Sequence, residues 1–217
     1  MLTLLLLARP TAHAIKWRPI AAGAVLGLTV LLVPEALVER ITDAQLTSLT
    51  RIAALGLALG VAFLLDDPAG RSTPTVPTSR LARHLVRVAL AGPAVALWWA
   101  LTLVVANSGG QQLPVAALTL EAATLLAVAL AVSAVAQRRS ADGNTSVVAA
   151  PSVLLFAAVA FALPRPVELI VRPADPGWAA SHHRWAVVLG FALAAFLWAG
   201  HDRVIRSAPR RRGWRSP

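Results

Sequence analysis

LPVAALTLEAATLLAVALAVSAVA, Leu113–Ala136, is a run of 24 residues in which Glu121 is the only charge. A helix needs roughly 20 mostly apolar residues to cross the hydrocarbon core of a bilayer. A membrane barrel strand would instead alternate apolar and polar residues over about ten positions. This run does not alternate, so it predicts a transmembrane helix. Five further stretches read the same way: Ile20–Leu37, Leu46–Leu65, Val88–Ala106, Ser146–Leu163 and Trp185–His201. The fifth span in chain order, Ser146–Leu163, is short and holds Pro151 near its start, where a helix tolerates proline. The expected fold is an all-α polytopic membrane protein with six transmembrane helices.

Composition agrees. The chain is 57% hydrophobic and 14% charged, against about 25% charged in a soluble domain. A soluble core of this length cannot hide that much apolar surface. The absence of cysteine excludes disulfides, a thiolate nucleophile and a cysteine metal site. The net charge of +10 would point to nucleic acid in a soluble protein. Here the charges lie in short stretches between apolar runs, where they read as topology signals, so no nucleic-acid partner is expected.

Those charges orient the chain. With the N-terminus inside, fifteen of the 20 Lys and Arg residues fall in cytoplasmic segments and five, including Arg51, in outer ones. Positive-inside bias therefore predicts cytoplasmic N- and C-termini and an even number of spans. Residues 1–18 are expected to form a cytoplasmic or interfacial helix, with Leu2, Leu5 and Leu6 toward lipid. Met1–Ala14 has a poor signal-peptide pattern: it lacks a positive start, and Lys16 and Arg18 follow directly. Residues 19–203 make the six-helix domain, and 204–217 a basic cytoplasmic tail.

Two connections stand out. In the inner one, Asp66–Arg87, Asp66 and Asp67 close the second span, where two carboxylates oppose the helix dipole. Pro68 then ends the helix. Thr75-Val76-Pro77-Thr78-Ser79-Arg80 follows, with Thr78 or Ser79 as an N-cap. Leu81, Leu85 and Val88 share one face and Arg80, Arg83 and Arg87 another, as in a short basic helix lying on the cytoplasmic surface. An ordinary solvated positive-inside loop fits the same residues. The outer connection, Pro164–Arg184, holds the apolar piece Val167–Val171, too short to span. It reads as an interfacial or re-entrant turn anchored by Trp178 and Trp185, followed by the His182-His183 pair.

This order of parts resembles the permease subunits of type-2-class ATP-binding-cassette exporters. The similarity rests on an N-terminal interfacial helix, two spans, a cytoplasmic loop, four more spans and an outer excursion before the last. Its motif is Asp66-Asp67 followed by Thr75-Val76-Pro77-Thr78-Ser79-Arg80, similar to the family's acidic stretch and Pro-Val-Ser-Arg-like turn. Where the family loop usually carries a Gly-Thr-Leu-Glu-like stretch, this chain has Ala69-Gly70-Arg71-Ser72-Thr73. The resemblance implies that Asp66, Asp67, Pro77, Thr78, Ser79, Arg80 and Arg83 belong to a coupling loop that docks on an ATPase chain. It also implies a second copy of the chain or a homologous permease. ATP and Mg would sit on the partner, and this chain would be a non-catalytic subunit of an exporter. No G-x-x-x-x-G-K-[ST] phosphate loop occurs in it.

Few other residues point to chemistry. Glu121 is either a pathway-facing carboxylate or a residue near the outer headgroups. Trp98 and Trp99, deep in the third span, pack the bundle or line a pathway. His182 and His183 with Asp175 are polar surface more readily than a metal site, and no metal is expected. Gly23-x-x-x-Gly27 and Gly56-x-x-x-Gly60 allow close helix approach without naming a partner face. The rival functions are a non-transporting accessory or scaffold subunit and a membrane enzyme, the latter poorly served by so few intramembrane polar groups. High Ala and Arg with a single Lys suggests a GC-rich genome and a bacterial plasma membrane.

Overall fold

Thr42 and Gln45 form a reciprocal capping box at the head of the second helix, with Gln45 N–H donating to Thr42 Oγ1 and Thr42 N–H to Gln45 Oε1. This pairing satisfies two donors that a helix start leaves open. The computed structural model describes residues 15–37, 41–66, 79–110, 112–139 and 144–201, and for Glu35 and Ala36 the backbone alone.

Six α-helices are described: α1 (Trp17–Leu37), α2 (Asp43–Val61), α3 (Arg80–Ala106), α4 (Val115–Arg139), α5 (Ser146–Ala162) and α6 (Trp178–Gly200). A 3-10 turn, Arg165–Val167, follows α5. No strand occurs among the described residues. Five of the helices are long and apolar enough to cross a membrane, and α5, at 17 residues, is shorter. The protein is thus a polytopic helical membrane protein, with each of the six expected spans on its own helix.

Boundaries differ in instructive places. α3 is one continuous helix of 27 residues, about 40 Å long. The basic turns expected as a separate surface helix are the first turns of this span. Ser79 caps them, accepting from Ala82 N–H at 3.2 Å. α6 begins at Trp178, seven residues before the expected start, so His182 and His183 are helical rather than in a loop. The expected interfacial helix over residues 1–14, Asp67, Pro77, Thr78 and the tail from Asp202 lie outside the described residues.

Helices α2 and α4 are the centre: 56% and 44% of their spans are buried, against 22%, 17% and 28% for α1, α3 and α6. α1 presses on α2 through glycines. A Cβ on Gly56 would lie 2.9 Å from Gly23 O, and one on Gly60 2.8 Å from Pro19 O. The two G-x-x-x-G patterns therefore face each other within one chain, and backbone contact replaces side-chain interdigitation. Exposed Leu97, Val104, Leu155, Phe161 and Phe191 stud the outside of the bundle, where lipid solvates them.

The chain next to α1 and α2 meets α3, α4 and α5 in a polar cluster at the basic end, and α6 is tied to α4 beside it. Lys16, just before α1, donates to Asp66 Oδ2 at 3.0 Å. Asp66 also accepts from Ser146 N–H and Thr145 Oγ1 at 2.9 Å and from Ser146 Oγ at 2.7 Å. Arg87 of α3 donates to the carbonyls of Leu65 and Asp66, and Gln137 of α4 to that of Leu65. Arg138 donates to Trp198 O of α6. The Asp66 carboxylate therefore sits at the start of α5, where the helix dipole is positive and favours it. This corrects the sequence expectation of a carboxylate opposing the dipole of α2. The chain turns through residues 62–65 and delivers the side chain, fully buried, to another helix.

Candidate functional site

Arg51 stands on α2 two turns below its capped start, and Glu121 stands two turns into α4. Because α2 and α4 run against each other, the two side chains meet. Arg51 Nε donates to Glu121 Oε2 at 2.7 Å and Nη2 to Oε1 at 2.8 Å. This two-point match of guanidinium to carboxylate is the strongest ion-pair geometry available to side chains. Both are largely shielded, with 13% and 3% of their side-chain surface exposed. A lone carboxylate this deep would cost several kcal/mol, on the order of 3 or more; the pairing offsets it.

The third member is His182 of α6. Its Nε2 lies 3.1 Å from Glu121 Oε1 and its Nδ1 2.8 Å from Trp178 O. Its ring packs at a tilt of 44° against Trp178, with centroids 4.2 Å apart. The Arg51 guanidinium also lies 5.7 Å from the Trp178 ring centroid, an attractive cation–π contact. Arg51 Nη2 further donates to Val171 O at 3.0 Å. The outer connection is thus folded onto the bundle: Leu169 and Val171 are buried, and Trp185 Nε1 donates to Leu169 O at 2.9 Å. Arg184 donates to the carbonyls of Glu168 and Pro166. The apolar piece of the outer connection is thus held against the bundle by Arg51, Arg184 and Trp185, and Trp185, expected as a surface anchor, is itself buried.

Two concavities flank this cluster. On one side an almost wholly apolar chamber of about 180 Å³ lies among α2, α3, α4, α5, α6 and the outer connection. Arg51 and Glu121 form its polar edge, and Trp99, Leu118, Leu125 and Trp185 line it. Ile52 and Phe161, 48% and 78% exposed, stand at its margin, so it opens sideways to lipid. On the other side an open cleft of about 380 Å³ is lined by Gln45, Ser48, Arg51 and Arg172 among others. Arg51 lines both.

The candidates read from the sequence are placed as follows. Glu121 is buried and paired with Arg51 between α2 and α4, at the polar edge of the chamber. Trp99 lines the chamber, its Nε1 donating to Thr119 Oγ1 at 3.1 Å. Trp98 is a packing residue, its Nε1 donating to Ala24 O of α1 at 3.0 Å. Asp66 is enclosed in the basic-end cluster, whereas Ser79, Arg80 and Arg83 are exposed at the head of α3. Asp175 accepts from Gly177 N–H, while the neighbouring His182 turns to Glu121. Among the described residues no group of three or more His, Cys, Asp or Glu could hold a metal.

Sequence reading missed Arg51, which it counted as an outer-segment charge, and His182, which it left in a loop. The capping box Thr42-Asp43-Ala44-Gln45 would have set the start of α2 and put Arg51 two turns inside it. Comparison with known proteins adds no relative: no family model, no curated protein and no solved structure matches the chain.

Proposed function

We propose that this chain is the membrane-spanning, non-catalytic subunit of an exporter in a bacterial plasma membrane, energised by ATP hydrolysis on a separate chain. It would work as a pair, with itself or a homologous permease, and carry an amphipathic substrate outward. The observation that carries this reading is the apolar chamber edged by the Arg51–Glu121 ion pair. An intramembrane charged pair beside a cavity is a costly feature, and such residues usually mark a substrate or ion pathway. A mixed apolar and charged lining suits a substrate with both characters.

The proposed mechanism is alternating access. ATP-driven closure of the partner would move the basic end, where one polar cluster ties helices together, and the helices would shift as near-rigid bodies. A nucleotide can drive such a change only by favouring one state over the other. Arg80 and Arg83, exposed at the head of α3, would be the described residues that meet the partner. Asp67, Pro77 and Thr78 complete the proposed coupling loop. Asp66 acts there through its contacts within the bundle.

The second reading is a membrane accessory or scaffold subunit that moves nothing. It is favoured by the closure of both polar clusters, whose carboxylates Asp66 and Glu121 are each multiply hydrogen-bonded within the chain. Affinity purification in mild detergent, with mass spectrometry of what accompanies the chain, separates the two. A stoichiometric partner carrying a nucleotide-binding ATPase sequence is expected. Partners without any nucleotide site would move the assignment to the scaffold.

A further inference from the structure

Ser48, Arg51, Ile52 and Leu55 fall at i, i+3, i+4 and i+7 on α2 and so share one face. Ser48 lines the open cleft, Leu55 the apolar chamber, and Arg51 both. The rise from Ser48 to Leu55 is about 10 Å. A cleft that carries two arginines and an almost wholly apolar chamber thus lie one after the other along a single helix face, with Arg51 common to both.

We propose that cleft and chamber form one binding site for an anionic amphipath, a phosphate- or similarly charged headgroup carrying an alkyl chain. The headgroup lies between Arg172 and Arg51, and the chain end enters the chamber from the lipid side. This deepens the transport reading by naming the chemistry of its substrate and rests on that reading for the word substrate; the binding itself does not.

Charge selects the headgroup. Arg51 satisfies Glu121 and Val171 through Nε and Nη2, and its Nη1 makes no hydrogen bond among the described residues. Arg172 is exposed in the same cleft. An anion can therefore gain two cations without breaking the Arg51–Glu121 pair. Guanidinium groups suit phosphate in particular, presenting planar paired donors. Size selects the tail. A dry cavity of about 150 Å³ holds benzene, so the 180 Å³ chamber takes the end of an alkyl chain, not a whole lipid. Its rim at Ile52 and Phe161 faces the layer from which such a chain would come.

The test is native mass spectrometry of the full chain released from a neutral detergent, titrated with dodecyl phosphate. Dodecanol and inorganic phosphate serve as separate arms. One dodecyl phosphate per chain is expected to survive detergent removal, with dodecanol held far more weakly and inorganic phosphate not retained. Arg172→Gln, an exposed change outside the bundle, should weaken binding about fivefold. Ala157→Phe, which fills the chamber, should abolish it, with a melting curve on the same sample to confirm folding. Retention of dodecanol as strong as that of dodecyl phosphate, or no effect of Arg172→Gln, would overturn the proposal; equal binding of inorganic phosphate would reduce the site to an anion cleft and overturn it too. Failure here beside a co-purified ATPase would remove this site and leave the transporter; binding here without any ATPase partner would do the reverse.

Discussion

Arg51 and Glu121, seventy residues apart in sequence, share two hydrogen bonds of 2.7 and 2.8 Å between the central helices α2 and α4. The pair fixes the register of the two most buried helices, because one helical turn of sliding would separate the groups by about 5 Å. It also sets the polar edge of the chamber. One contact therefore serves both the packing of the bundle and the lining of the chamber.

Removing either partner alone should be costly. Arg51→Met or Glu121→Leu leaves the other charge buried without its counter-ion, a loss of about 3–5 kcal/mol. The double variant should lose much less than the two singles combined. Thermal melting of the purified chain in detergent provides the measurement. Additive losses would show that the two side chains act independently.

The glycine seam makes a contrast of positions. Gly56→Leu must push α1 off α2, since even a Cβ there meets Gly23 O at 2.9 Å. A melting temperature well below that of the parent chain is expected. Gly190, on the open side of α6, has nothing within 4 Å of its added Cβ. Gly190→Ala should be neutral or gain about 0.5–1 kcal/mol from helix propensity. Equal effects at the two sites would contradict the packing described.

Asp66 predicts an acid limb. Burial pushes its carboxyl up, but the hydrogen bonds from Ser146, Lys16 and Thr145 together outweigh burial and hold it below the ordinary value of 3.8. A group whose folded value is lowered contributes stability above its unfolded value and loses it as the pH falls through the folded one. Melting temperature should therefore fall on acidification below about pH 4. Asp66→Asn should be less stable at pH 7 and lack this part of the acid slope. An unchanged slope in the variant would assign the acid limb to other carboxylates.

The absence of cysteine gives a clean background for topology. Ser108, between α3 and α4, and Ser79, at the head of α3, are both exposed. By the positive-inside bias, Ser108→Cys should react with a membrane-impermeant maleimide on intact cells. Ser79→Cys should react only after the membrane is opened. The reverse pattern would invert the orientation.

Much of this fold is legible in the sequence because lipid imposes a simple rule. Length and apolarity set the helices, and the expected ends of α1 and α5 and the C-terminal end of α3 match within a few residues. What escapes is pairing. Nothing local tells Gly23 that it meets Gly56, or Asp66 that it caps α5 from the end of α2. Arg51, inside the apolar run Leu46–Leu65, is counted with the outer charges because charge is taken as a boundary marker, and its partner lies on a different helix. His182 looks like loop because its polar neighbours His183 and Arg184 break the apolar run, although the helix continues through all three. The separate surface helix expected over Arg80–Arg87 merges into α3 because nothing between Arg87 and Val88 interrupts the helix.

The most direct test of the central proposal, that a separate ATPase drives this bundle, is ATP hydrolysis by the chain co-reconstituted in liposomes with whatever ATPase co-purifies with it. The parent chain is compared with Arg80→Glu/Arg83→Glu at matched amounts of both subunits. The account predicts that charge reversal at the head of α3 lowers transport-linked hydrolysis while expression and membrane insertion are unchanged. Hydrolysis equal to that of the parent chain would contradict it.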